Sequence, residues 1–446
     1  MPSTLIINAT LVNEGEVFEA DLRIEDGRIA RIGSSLTARG DEMLLDAGGR
    51  LLLPGLIDTQ VQFREPGFAL KGDLATESAA AVAGGITSYF DLPNTQPPTL
   101  DATLLEAKYA AAAGRSHANF AFWQGANAHS LEAIQGMDPG ATPGLRICLD
   151  GSDAGLTMHS STLLEAMFRE CPTLICANAE DLRTIDSNLT GAKAEFGESV
   201  PVQWHPTIRS RQACVAGSEF LLGLARQHQA RLHVAQLSSV EELRLFSAGR
   251  TQNKRITADA GAAYLHFDDR HYAMYGNRIK CDPAIKAVSD REALMHAVVE
   301  GRIDVLSSAH APHTLEDKSA RYLSAPSGMP MVQSALACLL ERYFEGRFSL
   351  PLIVEKCCHA PAALFGIEQR GYLREGYWAD LVLVDLKQLQ TVRSRELLGR
   401  VGWSPFDGHS FQASIAATFV NGNYAWDGSQ LFAPSGQRLA FSGNRR

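Results

Sequence analysis

Two glutamines on alternate positions of a strand end carry the first chemical question in this chain. The run Arg50-Leu51-Leu52-Leu53 reads as a strand, and Pro54-Gly55-Leu56-Ile57-Asp58-Thr59-Gln60-Val61-Gln62-Phe63-Arg64-Glu65-Pro66-Gly67 follows it. Side chains two apart on a strand point the same way, so Gln60 and Gln62 present two amides to one side. Neutral amide oxygens are poor zinc ligands beside imidazole or carboxylate. Other residues of the right type read as scaffold. His310 and His313 lie three apart, but Pro312 between them opposes a helix that would pair them. His159, His205, His233, His266 and His271 read as hydrogen-bonded scaffold, and the paired carboxylates Glu180 and Asp181 as salt-bridged.

The elements that must position these residues fall into two textures. Residues 1 to 53 alternate apolar and polar in short runs (Thr4 to Ile7, Ala20 to Ile24, Arg28 to Ile32, Met43 to Asp46) separated by turn residues, as in a small β unit. Residues 371 to 446 repeat that texture, with Asp380 to Asp385 and Ala417 to Gly422 as strands. Both ends together therefore predict one composite β-sandwich. Between them, residues 54 to 370 alternate apolar runs (Thr87 to Leu92, Thr173 to Ala177, Arg231 to Ala235, Ile303 to Ser307) with alanine-rich helical stretches such as Leu100 to Ala113 and Ala213 to Gln227. That is a parallel α/β pattern, and its length fits a (β/α)8 TIM barrel, in which chemistry sits where strands end. The tail Gly443-Asn444-Arg445-Arg446 reads as a frayed terminus.

Composition narrows the partners. The chain has 446 residues, 45% of them hydrophobic and 20% charged, with a net charge of −9. These values suit a globular protein and argue against nucleic acid or an anionic membrane as partner. The start has no basic segment of a signal peptide, and no apolar run reaches the roughly 20 residues of a membrane span. Eight scattered cysteines without a C-x-x-C, and the adjacent Cys357-Cys358, predict reduced thiols in a cytoplasmic protein.

Several stretches resemble the dihydroorotases of the amidohydrolase superfamily. They are Phe63 to Gly67, Leu92-Pro93-Asn94-Thr95, His205-Pro206-Thr207-Ile208-Arg209-Ser210, Ile279 to Lys286 and His310-Ala311-Pro312-His313-Thr314. Tyr372 to Asp380 resembles the β-sandwich signature of amidohydrolases generally. The resemblance covers essentially the whole chain, and it implies where metal ligands would stand. The family's P-G-[LM]-I-D-x-H-x-H is matched here with Gln60 and Gln62. Its lysine in G-x-K-x-F, whose carbamate bridges two metals, is Arg146, a guanidinium that stays protonated and repels cations. H-x-E-D begins with Asn178, L-H-x-x-H-x-S has Gln236, and the aspartate of T-D-H-A-P-H is Ala309. No catalytic residue, zinc or other cofactor is therefore expected, since no low-pKa water and no general base would form.

The substrate side is better kept. The resemblance places a substrate carboxylate against Arg64, Asn94 and His313, while Asp282 replaces an asparagine and brings a charge that would oppose an anion. The bland alternative pairs Arg64 with Glu65 or another acid and leaves Asn94 to shape a turn. The loop Asp150-Gly151-Ser152-Asp153-Ala154-Gly155 departs from the family's G-x-S-T-G-N-M, so the mouth is expected to differ too.

Three functions follow from the resemblance. One is a non-catalytic structural or regulatory subunit linked to pyrimidine biosynthesis. Some bacterial chains of this kind assemble with aspartate transcarbamoylase, which makes that enzyme, besides a homo-oligomer, the candidate partner. The others are a working dihydroorotase or other cyclic-amide hydrolase, and a sensor of a small orotate-like carboxylate. Arg146, Gln60, Gln62, Asn178 and Gln236 are expected to converge in a hydrogen-bonded plug.

Overall fold

The computed structural model describes residues 3–151, 156, 158 and 160–443. His159, four residues of the loop after Asp150 and the last three of the tail lie outside the described residues. Both ends of the chain build one eight-stranded sheet. Its amino-terminal strands are β1 (Thr4–Asn13), β2 (Glu16–Glu25), β3 (Arg28–Gly33), β4 (Met43–Asp46) and β5 (Leu51–Pro54). The middle of the chain supplies β6 (Leu56–Val61), β7 (Ile86–Asp91), β8 (Asn119–Phe122), β9 (Gln124–Gly125), β10 (Leu145–Cys148), β11 (Ile175–Asn178), β12 (Leu232–Ala235), β13 (Ile256–Gly261) and β14 (Val305–Ser307). After them come β15 (Leu381–Asp385), the short pair β16 (Gln390–Thr391) and β17 (Ser410–Phe411), β18 (Ser414–Val420) and β19 (Asn423–Trp426).

The two ends meet at β5 and β15, which run antiparallel with Leu52 opposite Leu383. One face of this sheet (Ile6, Leu11, Leu22, Leu52, Leu383, Phe419) encloses its own apolar core. The other face (Val12, Leu51, Leu53, Val382, Val384) packs with the middle of the chain. A β-strand sends alternate side chains to opposite faces, so each of these strands serves both cores.

The middle strands are short, apolar and buried throughout, as parallel strands covered on both faces must be. They form the orders β6-β7-β8 and β9-β10-β11-β12-β13-β14. Trp123 continues β8 into β9 and donates its N–H to Asp91 O (3.1 Å); at the far side Val61 bridges His310 in parallel register. The two sheets are thus joined at both ends. Helices begin where the sequence supplies caps: Asp73 accepts from the N–H groups of Ala75 and Thr76 before Leu74–Ala83, and Ser210 accepts from Ala213 before Arg211–His228.

Residues 371–446 do not all stay with the eight-stranded sheet. Val392, Trp403, Phe406 and Phe411 enter the core of the middle unit, with Phe406 stacked on Phe267 at 5.3 Å. Leu439 and Phe441 close a second cluster around Phe90, Trp123 and Phe365. Their apolar spacing looks alike on either surface, and only the tertiary contact decides which core they fill.

Candidate functional site

The strand ends deliver Gln60 from β6, Arg146 from β10 and Asn178 from β11 to one cavity of ≈ 210 Å³, with Gln62, Gln236 and Ala309 just beyond β6, β12 and β14. Arg146 turns inward and is 1% exposed. Its Nη1 donates to Cys176 Sγ at 2.8 Å and its Nη2 to Asn178 Oδ1, while Nε has no partner among the described residues. Burial opposes this charge, but Cys176, Cys148 and Asp259 favour it, and the pKa lies above the ordinary arginine value. The expected plug of amide oxygens forms only in part. Gln60 donates Nε2 to Cys176 Sγ (3.4 Å) and leaves Oε1 buried without a partner among the described residues. Gln236 Oε1 instead lies 3.5 Å from the Tyr264 hydroxyl, which donates its proton to Pro283 O at 2.7 Å. Cys176, two residues before Asn178 on the same strand face, is the partner that sequence reasoning missed, although the period of two points to it.

The opposite wall holds Arg64, Asn94, Asp282 and His313. Arg64 is not paired with its neighbour: Glu65 binds Arg115 (2.7 and 3.0 Å) and caps Leu74 N (2.9 Å). Instead Arg64 donates Nε to Pro312 O (3.1 Å), and its Nη2 lies 2.8 Å from His313 Nε2. Lys71 Nζ stands 3.0 Å from His313 Nδ1. Burial, then Arg64, Lys71 and Lys318, push the His313 pKa down to about 2, so the ring is neutral. A neutral imidazole has one acceptor nitrogen and cannot accept from both cations. Nε2 of the ring also lies 2.9 Å from Ser327 O, and Lys71 pairs with Asp317 at 3.2 Å.

Asp282 corrects an expectation. Its carboxylate is held by Arg209 Nε (2.8 Å), His205 Nε2 (3.3 Å) and Ser327 Oγ (2.9 Å), so its charge is countered before it can oppose an anion. Burial would raise its pKa, yet Arg209 and His205 hold it well below the usual carboxylate range. Arg209 also binds Glu180 (2.6 Å) and reaches Asp150 (3.5 Å), which makes it the hub of three carboxylates. Burial still pushes Glu180 up to about 7 against that pull. Asp181 is not a site residue but the cap of helix Leu182–Phe196.

The histidines are committed elsewhere. His310 bonds Glu77 through Nε2 (3.0 Å) and accepts the N–H groups of Met331 and Val332 at Nδ1. His205 spans Tyr322 and Cys281 O, His233 spans Thr257 and Asp259, and His271 folds back on Asp268. His266 packs on Phe267 and Phe406.

Asp58, beneath the site, gives a pH test. Its Oδ1 accepts from the backbone N–H groups of Gln60 and Ser308 (both 3.2 Å). Burial raises its pKa to about 6. A carboxyl raised above its unfolded value of ~3.9 contributes stability that is present at low pH and is lost as pH rises through the folded value. The Asp58→Asn variant is therefore expected to gain about 2–3 kcal/mol relative to the parent between pH 4 and pH 7. Urea unfolding of both proteins across that window measures it; a difference independent of pH refutes it.

The comparisons bear on this geometry. A family model described as "Amidohydrolase family" matches residues 253–425. The dihydroorotase of Halobacterium salinarum is 30% identical over 437 residues, covering 97% of this chain and 99% of that protein. The chain belongs to the amidohydrolase family, among its dihydroorotase-like members. The allantoinase of Solibacter usitatus is also 30% identical, over 98% of this chain and 97% of its own length. Among solved structures, the L-hydantoinase (dihydropyrimidinase) from Arthrobacter aurescens superposes with a TM-score of 0.93 at 26% identity, over 99% of this chain and 100% of that one.

For this amidohydrolase the donor set at the strand ends does not fit a divalent cation. Gln60, Gln62, Asn178 and Gln236 are neutral amides, Ala309 has no donor, and a buried guanidinium occupies their midst. Among the described residues no three His, Cys, Asp or Glu side chains group where a metal could be held, and no helix is long and apolar enough to cross a membrane.

Proposed function

We propose that this chain is a dihydroorotase-like protein without zinc hydrolysis, serving as a non-catalytic structural or regulatory subunit linked to pyrimidine biosynthesis in the cytoplasm. In this reading the joined parallel strands are a closed (β/α)8 barrel, and the composite sheet folds as a β-sandwich. The observation that carries it is Arg146, buried and bonded to Cys176 and Asn178 at the cavity floor. A fixed guanidinium there cannot form a carbamate and repels the ions a hydrolase of this kind needs. A scaffold that keeps its motifs while its donors are gone is accounted for by a surface that still matters. A homo-oligomer and aspartate transcarbamoylase are the candidate partners.

The test joins elemental analysis of purified protein, a dihydroorotate hydrolysis assay, and sizing with and without aspartate transcarbamoylase. No zinc, no hydrolysis and co-elution are expected. Stoichiometric zinc with activity would return the chain to the working cyclic-amide hydrolases, the activity in the names of its relatives. A strict monomer indifferent to the transcarbamoylase would remove the subunit role.

The juxtaposition of Arg64 and His313 on the cavity wall favours a second reading, a sensor of an orotate-like carboxylate. An anion there would meet the Arg64 guanidinium and the His313 ring, which lie 2.8 Å apart. Orotate binding abolished by Arg64→Ala supports it.

A further inference from the structure

One wall of the cavity is a strap with neither helix nor strand. Residues 320–334 join helix Leu315–Ser319 to helix Ala335–Phe344, and Pro326, Ser327, Gly328 and Met329 of that segment line the cavity. Five consecutive carbonyls of the strap each lie within bonding distance of a nitrogen from outside it. Lys280 Nζ donates to Ala325 O (2.5 Å) and also to Tyr322 O (2.9 Å). Lys318 Nζ donates to Pro326 O (2.8 Å), Gly328 O (2.7 Å) and Lys280 O (3.1 Å). His313 Nε2 lies 2.9 Å from Ser327 O, and Ala311 N donates to Met329 O (3.0 Å). A helix or a sheet would satisfy such carbonyls with neighbouring backbone, whereas here two buried ammonium groups do most of it. Gly328 adopts a φ of +127°, and a Cβ there would meet Ala311 O at 2.6 Å, so the strap turns at a place that only glycine serves.

We infer that residues 325–329 are the gate of this cavity, clasped shut by the Lys280 and Lys318 ammonium groups. A segment held by a few side-chain bonds opens at the cost of those bonds, not at the cost of the whole domain. Charge-assisted bonds are the stronger kind, so two lysines suffice to keep the strap closed. Release of the clasp swings Ser327 off Asp282 (2.9 Å) and away from His313, with Gly328 as the hinge. The wall in front of Cys281, which also lines the cavity, then opens. The gate is independent of the non-catalytic reading, since access matters to any occupant of the cavity.

The probe is iodoacetamide, with peptide mass spectrometry to follow each of the eight buried cysteines. Cys281 reports the gate. Cys358, 0% exposed and donating to Pro54 O (3.3 Å), reports opening of the whole fold. Both are expected to react slowly in the parent. Lys318→Met, which removes three bonds to carbonyls, is expected to speed Cys281 about tenfold or more while leaving Cys358 within about twofold. Lys280→Met is expected to do the same by freeing Ala325 and Tyr322. Where a variant does not fold, hydrogen exchange of the parent decides. The Gly328 amide, bonded to Lys280 O (2.8 Å), is expected to exchange about tenfold or more faster than the amides of β12, and with little dependence on low urea. A Cys281 rate unmoved by both substitutions, a rise shared equally with Cys358, or a Gly328 amide that exchanges only with the whole domain overturns the gate.

Discussion

Replacing Arg209 by methionine is expected to cost about 3–5 kcal/mol of stability at pH 7, the scale for breaking a buried ion pair from one side. The guanidinium is 9% exposed as a residue and binds Asp282, Glu180 and Asp150 at 2.8, 2.6 and 3.5 Å. Methionine fills much of the volume, so the loss reports the uncompensated carboxylates rather than a cavity. The pH dependence separates this cause from poor packing. Asp282 has a folded pKa below its unfolded one, so its contribution is present above ~pH 4 and is lost as pH falls further. The penalty of Arg209→Met should therefore shrink in acid, where the stranded carboxylates take up protons. Arg209→Lys should fall between, since one ammonium cannot fork to three acids. Urea unfolding at pH 7 and pH 3 measures both variants. A loss of equal size at the two pH values would assign Arg209 to packing alone.

The strand ends were legible because two regularities fix them. Short apolar runs alternating with helical stretches give the parallel unit, and the period of two makes Gln60 and Gln62 neighbours on one face. The same period, carried from Asn178 back to Cys176, identifies the sulfur that accepts from Arg146. What was not legible depends on contacts far apart in the chain. Nothing near Asp282 announces that Arg209 will neutralise it, because the pairing arises only when the loop after β13 meets the turn before helix Arg211–His228. Trp403 likewise reads as one more aromatic of the carboxy-terminal strands. In the fold it donates Nε1 to His313 O at 2.8 Å and fixes the very residue whose ring gathers Arg64 and Lys71.

Restoring the whole set Gln60→His, Gln62→His, Arg146→Lys, Asn178→His, Gln236→His and Ala309→Asp is expected to take the protein from no bound zinc to about one equivalent or more, because ligand identity and number set affinity at such sites. The backbone already has the shape these residues need. Gln236 and Ala309 both adopt left-handed conformations, with φ of +61° and +52°. Alanine gains nothing there, whereas aspartate and histidine are among the residues that tolerate it. The single change Arg146→Lys is expected to bind none, since four amides and an alanine still surround it. Partial sets that keep Arg146 should fail as well, because a guanidinium amid the new imidazoles repels the cation. Elemental analysis after exhaustive dialysis, with dihydroorotate hydrolysis as the second readout, decides the matter. A folded six-fold variant that binds no zinc would mean that the mouth, and not only its donors, has departed from the geometry of its relatives. The loop after Asp150, where the expected motif is also altered, would then be the part to exchange next.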